Sequence, residues 1–345
     1  MTYKTPMFIA EVSANHLGSF SRAREIVLSA AKAGATAVKF QTYTAETMTL
    51  DIDNFRISGE HTLWGGKKLF DLYKEAHTPW SWHAELFELA LDLGLIPFSS
   101  PFDSTAVDFL ESLNCPIYKI ASMETGDLNL IRKVANTGKP IIMSTGASTL
   151  DEIDDAVYEI SQSGNKDLTL LLCTSSYPSI PMDAHLKRIE LLKERYSCKV
   201  GLSDHTLGIG VSVAAIALGA VAIEKHLTLK RSDGGADGAF SMEPDEFANL
   251  VIEGSAAFQA LGNRKWSMQE SESESRRLRR SLYIVKNVKK GELVSEQNLR
   301  CIRPSGGLPG KFYFELIGRT FNSDFEVGTP MKLGYVDDFI ALHKE

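Results

Sequence analysis

Short apolar runs alternate along the chain with longer amphipathic stretches whose apolar residues recur at helical spacing. The runs are too short for independent helices and are rich in β-branched and aromatic residues, a composition that favours strands. Several are apolar almost throughout, as expected for strands buried on both faces of a parallel sheet. The predicted strands cover residues 7–14, 37–42, 96–102, 117–122, 140–146, 168–175, 199–205 and 220–228.

Capping signals mark the helices between these strands. Ser21 is predicted to cap the first helix, and Gly34 follows the end of that helix. Thr78 is predicted to cap another, with Pro79 at its first position and Gly94 at its end. Side-chain oxygens satisfy the free N–H groups at a helix start, and glycine readily adopts the left-handed conformation that ends a helix. Further helices are predicted over residues 104–113, 127–136, 150–162, 184–195, 208–218 and 244–261.

Eight strand–helix units within about 260 residues predict an α/β fold of the (β/α)8 type, a TIM barrel. A doubly wound open sheet is the alternative, because it uses the same alternation without closing the ring. No Gly-x-Gly-x-x-Gly motif follows the first predicted strand, which disfavours the dinucleotide-binding form of that alternative.

The pattern changes beyond residue 265. Glutamates followed by arginines between Gln269 and Arg280 indicate a solvated linker, which we assign to residues 266–282. Short apolar segments and turn sequences such as Pro304-Ser305-Gly306-Gly307 follow. They predict a small β-rich domain over residues 283–345, next to a barrel domain over residues 1–265.

Charge and cysteine content narrow the class of protein. The chain has 345 residues and a net charge of −7, which argues against a nucleic-acid partner but leaves room for a locally basic site. Its four cysteines are widely spaced, which predicts neither a disulfide framework nor a cysteine zinc site. The first residues lack a secretory pattern and no long apolar run occurs, so we expect a cytoplasmic protein that does not enter a membrane.

Polar and charged residues follow every predicted strand at its C-terminal end, which is where TIM barrels place their active sites. Lysines and serines on this rim suit a phosphate and a carboxylate, because converging cations and hydroxyls bind both groups. A single such residue is more often a surface charge or a turn cap. The prediction of an anion site therefore rests on the occurrence of several such residues on one rim. The lysines are Lys39, Lys119 and Lys225, and the serines are Ser100, Ser122, Ser144 and Ser203.

Two histidines and three carboxylates stand on the same rim. His205 and His226 end neighbouring strands and suit a catalytic divalent metal ion with open coordination positions, although hydrogen-bonded structural histidines are the alternative. Glu11, Glu124 and Asp237 could transfer protons or bind sugar hydroxyls. Glu11 could equally pair with a lysine, and Asp237 could be a turn residue in a glycine-rich loop.

Motifs at the predicted strand ends resemble, in order and with compatible spacing, those of the sialic acid (nonulosonic acid) synthase family. The resemblance covers nearly the whole chain, and the segment 279–304 is similar to the antifreeze-like (SAF) domain of that family. The motifs are Glu11-Val12-Ser13-Ala14-Asn15-His16, Lys39-Phe40-Gln41, Ser99-Ser100-Pro101-Phe102-Asp103, Tyr118-Lys119-Ile120-Ala121-Ser122, Ser144-Thr145-Gly146, Gly201-Leu202-Ser203-Asp204-His205-Thr206 and Glu224-Lys225-His226.

The resemblance implies a phosphoenolpyruvate-dependent synthase that uses Mn2+ or Mg2+. It also implies a domain-swapped homodimer, in which each small domain caps the barrel of the partner. His205 and His226 would bind the metal, and Arg303 would reach the sugar acyl group from the other subunit. The residues implied for phosphoenolpyruvate are Ser100, Lys119, Ser122, Ser144 and Ser203, and those implied for the sugar are Gln41, Glu124, Tyr177 and Asp237. Ser175 stands where the sialic acid branch of the family commonly has asparagine, which puts a phosphate-side contact in doubt.

Segments 64–83 and 234–237 resemble the pseudaminic acid branch of the family. That resemblance implies 2,4-diacetamido-2,4,6-trideoxy-altrose as the substrate rather than N-acetylmannosamine. Aromatic residues could line the side of the sugar that carries a methyl group, or Trp80 and Trp82 could simply pack their helix. The alternatives are an N-acetylneuraminate or legionaminate synthase, a 3-deoxy-sugar-acid synthase or aldolase without the SAF tail, and a non-catalytic sugar-binding protein.

The mechanistic hypothesis is an attack of the enol carbon of phosphoenolpyruvate on the open-chain sugar aldehyde. Water then adds at C2, and the C–O bond to phosphate breaks. Lysine cations, Lys119 among them, would stabilise the developing charge. Glu11 is the first candidate to orient or deprotonate the water, and Glu124 is the alternative.

Overall fold

The computed structural model describes residues 5–58 and 64–337. The chain folds into two compact units, Met1–Gly262 and Asn263–Glu345. The segment predicted as a linker, residues 266–282, belongs to the second unit. In the described part of the chain, no helix is long and apolar enough to cross a membrane.

A closed ring of eight parallel strands forms the first unit, which confirms the predicted TIM barrel and excludes the open sheet. Most strands end earlier than predicted, because the polar residues beyond each one leave the hydrogen-bonded ladder and enter loops. The strands are β1 (Met7–Glu11), β2 (Ala37–Thr42), β3 (Ile96–Pro101), β4 (Tyr118–Ile120), β5 (Ile141–Ser144), β6 (Leu168–Cys173), β7 (Lys199–Ser203) and β8 (Ala222–His226). The ring closes where β8 pairs with β1, with Glu11 opposite His226.

Helices connect the strands of the ring. They are α1 (Phe20–Lys32), α2 (Ala45–Met48), α3 (Leu69–Ala76), α4 (Trp80–Asp92), α5 (Ser104–Ser112), α6 (Leu128–Ala135), α7 (Leu150–Gln162), α8 (Arg188–Tyr196), α9 (Gly210–Ala217) and α10 (Pro244–Ala260). The sequence pattern did not predict α2 and α3, which lie in the long connection between β2 and α4. It also placed the start of α8 too early, since Pro181–Ala184 form a separate 3-10 turn.

Two predicted helix caps are wrong. Ser19, not Ser21, caps α1, because its hydroxyl accepts a hydrogen bond from Arg22 N at 3.3 Å. Thr78 does not cap α4, since its hydroxyl lies 3.4 Å from His16 Nε2 and its side chain is buried. Ser21 lies inside the first turn of α1, where its hydroxyl is 3.0 Å from Ser19 Oγ, and Thr78 directs its hydroxyl to His16.

Close packing between the helices and the outward strand faces forms the main hydrophobic core. One glycine is required by this packing. A Cβ atom at Gly254 in α10 would lie 2.8 Å from Phe8 Cζ and 2.9 Å from Ile216 Cδ1, which is inside van der Waals contact. Gly254 therefore allows α10 to approach β1 and α9 closely.

The second unit is small and has its own core. Two antiparallel strands, β9 (Ser281–Ile284) and β10 (Leu299–Ile302), pair with Leu299 opposite Ile284. The second unit also contains the short helices α11 (Ser273–Arg277) and α12 (Tyr313–Leu316) and several 3-10 turns. Its buried residues include Leu282, Ile284, Leu299, Phe321 and Met331.

Candidate active site

A cavity of about 440 Å3 opens at the C-terminal end of the barrel, and all eight strands contribute side chains to its wall. TIM barrels carry out catalysis at this end. The strand residues in the wall are Glu11, Lys39, Gln41, Ser100, Lys119, Ser144, Cys173, Ser203, Glu224 and His226. The alternation of side chains along each strand selects this inward-facing set.

The deepest part of the cavity carries a lysine with neutral partners. Lys119 Nζ donates to Ser144 Oγ at 2.7 Å and to Ile120 O at 2.9 Å, and both side chains are buried. Burial lowers the pKa of Lys119 to about 8, because a charged amine loses its hydration there. Ser100 Oγ is also buried, and no group in the described residues hydrogen-bonds to it. These groups have hydrogen-bonding capacity left for an anion.

Lys39 is held between two carboxylates. It forms ion pairs with Glu11 and, at 3.0 Å, with Glu224 Oε1. Burial opposes ionisation of Glu224, but Lys39 and Lys119 outweigh it and lower the pKa of Glu224 to about 2. Glu224 also accepts a hydrogen bond from Ser203 Oγ at 2.9 Å. Glu11 thus pairs with Lys39, which is one of the two alternatives considered for Glu11 from the sequence.

Glu224 is a cavity residue that was not predicted from the sequence to lie in the site. Its position gave a signal, because it lies two residues before His226 on β8 and must face the same side of the strand. By the same rule Lys225 faces outward, so its prediction as a phosphoenolpyruvate ligand is wrong. Lys225 lies outside the barrel wall, where its Nζ donates to Asp204 Oδ2 at 2.9 Å.

The two histidines lie side by side in the cavity wall. The ring centroids of His205 and His226 are 5.3 Å apart. His205 Nδ1 lies 3.0 Å from Thr174 O, which leaves its Nε2 for another partner. His226 Nδ1 is buried and lacks a hydrogen-bond partner among the described residues, and its closest carboxylate is Asp237, at 3.8 Å. Both imidazoles thus keep a nitrogen for a ligand.

Polar residues predicted to bind the sugar meet on one side of the cavity. Gln41 Nε2 donates to Glu11 Oε1 at 2.8 Å and to Ser13 Oγ at 2.9 Å. Ser13 Oγ in turn donates to Asp237 Oδ2 at 2.5 Å. Tyr177 lies nearby, with its ring centroid 4.6 Å from that of His205. Ser13 was missed because it lies just beyond β1, where strand periodicity no longer applies.

Glu124 differs from Glu11 and Glu224, because no lysine or arginine of the described residues lies at bonding distance from it. Its Oε2 is buried and lacks a hydrogen-bond partner in residues 5–58 and 64–337. Burial raises the pKa of Glu124 to about 7, although the charge of Lys119 opposes the rise. A carboxyl group with such a pKa can exchange a proton near neutral pH.

Ser122 lies beside a glycine that permits close contacts. Its hydroxyl accepts a hydrogen bond from Gly146 N at 3.1 Å, and Ser122 lines the cavity. A Cβ atom at Gly146 would lie 2.2 Å from Ser175 Oγ and 2.8 Å from Ser122 Oγ. Glycine is therefore required there.

The outer part of the cavity is largely apolar. Ile57, Leu69 and Leu72 line it from the connection between β2 and α4, and Met123 lines it from the loop after β4. Trp64 joins this wall and donates from Nε1 to Ala236 O at 2.9 Å, which ties the connection to the loop that carries Asp237.

The other two tryptophans of this region are structural. Trp80 stacks on Phe109 with a centroid distance of 4.7 Å, and Trp82 packs against His16 and Phe20. The packing alternative is therefore correct for Trp80 and Trp82. Arg303 lies in the second unit and is exposed, so its contact with a sugar remains a prediction.

Comparison with known proteins agrees with this geometry. The NeuB family model matches residues 26–266, and the SAF domain model matches residues 279–333. This chain belongs to the NeuB family. The family match confirms the resemblance predicted from the strand-end motifs, and the second match confirms the SAF domain.

Relatives within the NeuB family match over nearly the whole chain. A pseudaminic acid synthase of Campylobacter jejuni is 44% identical over 335 residues, which cover 96% of this chain and 97% of that protein. A pseudaminic acid synthase of Helicobacter pylori is 45% identical and covers 94% of this chain and 96% of its own length. The crystal structure of the N-acetylneuraminic acid synthetase of Leptospira borgpetersenii in complex with citrate has a TM-score of 0.70 and 34% identity, covering 79% of this chain and 90% of that one.

Proposed function

We propose that this enzyme condenses phosphoenolpyruvate with open-chain 2,4-diacetamido-2,4,6-trideoxy-altrose and releases phosphate, which makes it a pseudaminic acid synthase. The observation that carries the proposal is the division of one barrel cavity into a buried cationic end and an apolar outer wall. The relatives that are 44% and 45% identical over nearly the full chain support the same reaction.

The buried end suits the phosphate and carboxylate of phosphoenolpyruvate. Lys119 supplies the charge, and the hydroxyls of Ser100 and Ser144 supply neutral hydrogen bonds. Charge-assisted hydrogen bonds of this kind are about twice as strong as neutral ones. Lys39 contributes less to phosphate binding, because Glu11 and Glu224 already neutralise it.

The histidine pair fits a divalent metal ion with open positions. His226 Nδ1 is buried without a partner, and the described residues place no third His, Cys, Asp or Glu in a cluster with metal-binding geometry. Substrate or water oxygens would therefore fill the remaining positions. When bound, Mn2+ or Mg2+ would act as a Lewis acid on the sugar aldehyde.

The reaction forms a bond between C3 of phosphoenolpyruvate and C1 of the sugar aldehyde. The aldehyde oxygen takes up a proton as this bond forms. Water adds at C2 and loses a proton to the base, and the bond between C2 and the phosphate oxygen then breaks as the new C2 hydroxyl loses its proton, which leaves a 2-keto acid and inorganic phosphate. Glu124 suits the proton transfer better than Glu11, because Glu11 is bound to Lys39 and Gln41, whereas Glu124 Oε2 has no hydrogen-bond partner among the described residues. We therefore assign the role of general base to Glu124. Glu11 instead orients Lys39 and Gln41.

The sugar would lie along the cavity from the buried end to the outer wall. Its C1 must meet phosphoenolpyruvate at the buried end, so C6 is the carbon furthest from the phosphate. There the methyl group of a 6-deoxy sugar would meet Ile57, Leu69 and Leu72. A hydroxyl group at that carbon would lose its hydration without a partner, which costs about 1–3 kcal/mol. Gln41, Asp237 and Tyr177 would bind the polar middle of the chain.

A homodimer in which Arg303 reaches the partner's site, and a cytoplasmic location, belong to the same proposal. The SAF domain supports the first, because the family resemblance implies that this domain caps the partner's barrel. The four cysteines are free thiols, as suits a reducing compartment.

The test is phosphate release from phosphoenolpyruvate in the presence of Mn2+. We expect release with 2,4-diacetamido-2,4,6-trideoxy-altrose and little with N-acetylmannosamine in a parallel reaction. Preference for N-acetylmannosamine would move the enzyme to the sialic acid branch. Sugar binding without any phosphate release would overturn the enzymatic proposal and favour a binding protein.

A further inference from the structure

A buried polar cluster lies outside the barrel wall, directly behind the two cavity histidines. Lys225 Nζ donates to Asp204 Oδ2 at 2.9 Å, to Thr206 O at 2.6 Å and to Gly208 O at 3.0 Å. The side chains of Lys225 and Asp204 are 1% and 2% exposed. All three ammonium protons therefore have acceptors, and Lys225 keeps no donor for a substrate.

Asp204 clamps the turn that carries His205. Its Oδ1 accepts hydrogen bonds from Thr206 N at 2.9 Å and from Thr206 Oγ1 at 2.8 Å. Its Oδ2 accepts from Ser212 Oγ at 2.6 Å, which ties the carboxylate to α9. His205 is the residue between Asp204 and Thr206, so these bonds fix the backbone on both sides of its imidazole.

Lys225 connects this turn to the strand that carries the second histidine. It precedes His226 on β8, and its ammonium group bonds to Asp204 and Thr206, which flank His205. A single buried ion pair therefore joins the two peptide segments whose imidazole centroids are 5.3 Å apart. Neighbouring side chains along an extended segment point to opposite faces. Because His205 and His226 face the cavity, Asp204 and Lys225, which precede them, face away from it.

We propose that Asp204 and Lys225 are positioning residues, which set the spacing and orientation of His205 and His226 for a divalent metal ion. This inference rests on the metal site of the proposed function. Groups that orient metal ligands typically change metal affinity by about 10- to 100-fold when they are removed. A role limited to stability would lower the unfolding temperature and leave the affinity of the folded protein unchanged.

The experiment compares Mn2+ binding by full-length variants without substrates, followed by the loss of the free-Mn2+ signal in electron paramagnetic resonance. Lys225→Met removes the ion pair. Lys193→Met is the matched control, because Lys193 Nζ likewise bonds to the carbonyls of Leu218 and Gly219, before β8 and on the opposite side of the barrel from the cavity. We expect Lys225→Met to weaken Mn2+ binding by about tenfold or more, and Lys193→Met to stay within about twofold of the natural protein.

Thr206→Val provides a milder test if Lys225→Met does not fold. It removes one of the two bonds from Thr206 to Asp204 and keeps the ion pair, so we expect a smaller but measurable loss of Mn2+ affinity. Natural affinity in the folded Lys225→Met protein, or in Thr206→Val if only that variant folds, would overturn the inference. His226→Ala tests the proposed metal site separately from the positioning role of Asp204 and Lys225. If this variant binds Mn2+ like the natural protein, the assignment of His226 as a metal ligand is wrong, and the positioning role is refuted as well.

Discussion

Glu124→Gln should make the enzyme more stable at alkaline pH while nearly abolishing its activity. Burial raises the pKa of Glu124 from its ordinary value of 4.5 to about 7. The folded protein therefore holds a proton on Glu124 at pH values where the unfolded chain has released it. Above pH 7 the folded state must carry a buried carboxylate, and glutamine removes this cost while keeping the shape of the side chain.

The size and the pH window of the effect follow from these two pKa values. One pKa unit corresponds to roughly 1.4 kcal/mol, so the ionised Glu124 destabilises the fold by about 3 kcal/mol above pH 7. Below pH 4.5 the side chain is protonated in both states and the substitution should change little. The stability advantage of the glutamine variant should grow between pH 4.5 and pH 7 and then remain constant.

Urea unfolding at pH 5 and pH 8, with EDTA present to remove metal ions, measures this effect. Glu253→Gln is a suitable control, because Glu253 is an exposed carboxylate on α10. We expect only Glu124→Gln to gain stability relative to the natural protein as the pH rises. Equal differences at pH 5 and pH 8 would contradict the argument from burial.

The activity of the same variant tests the assignment of Glu124 as the base. A positioned general base contributes about 10²- to 10⁴-fold to a reaction rate, so kcat should fall by that factor. In the natural enzyme kcat should rise with pH through about 7, and that rise should be missing in Glu124→Gln. A variant that keeps the rise in kcat would return the base role to Glu11.

Three further predictions follow from the site and the fold. Ser100→Ala should raise the KM for phosphoenolpyruvate about tenfold in steady-state kinetics, because the buried hydroxyl has no partner in the described residues and can bond to the substrate. An unchanged KM would show that Ser100 does not bind phosphoenolpyruvate. Gly254→Ala should lower the free energy of unfolding by about 1–3 kcal/mol in urea, because the new methyl group collides with Phe8; natural stability would show that α10 moves freely. At a sugar concentration too low for either variant alone, mixing Arg303→Ala with Lys119→Met should restore phosphate release, since a mixed dimer has one intact site if Arg303 acts across subunits; no gain in release after subunit exchange would contradict the swap.

Strand periodicity made most of the barrel and its inward residues predictable. The alternation of short apolar runs with capped helices predicted a closed (β/α)8 ring, which the structure confirms. Once His226 is taken to face the cavity, Glu224 must do the same and Lys225 must not. The error over Lys225 came from counting charges at the rim without applying this rule.

Residues in loops could not be placed by periodicity. Ser13 lies just past β1, and Trp64 lies in the long connection before α4. Neither residue is part of a strand or an α-helix whose periodicity would show which way its side chain points. Their positions depend on long-range bonds, from Ser13 to Asp237 and from Trp64 to Ala236. Trp80 and Trp82 lie in α4, and their resemblance to a substrate branch carried no information about whether they face the cavity or the core.

The bonding partners of the three rim lysines decide which of them is available to bind an anion. Lys39 forms ion pairs with two carboxylates. Lys225 donates all three of its ammonium hydrogen bonds to groups outside the barrel wall. Lys119 forms no ion pair within residues 5–58 and 64–337, and its two hydrogen bonds go to a carbonyl and to Ser144. One of its donors therefore remains for the substrate. Because Lys119 is buried and none of these described residues places a carboxylate in direct contact with its Nζ, a bound phosphate or carboxylate would bring negative charge closer to the ammonium group and would raise the pKa of Lys119 from about 8. Phosphoenolpyruvate binding should for this reason take up a proton above pH 8, an effect that Lys119→Met would remove.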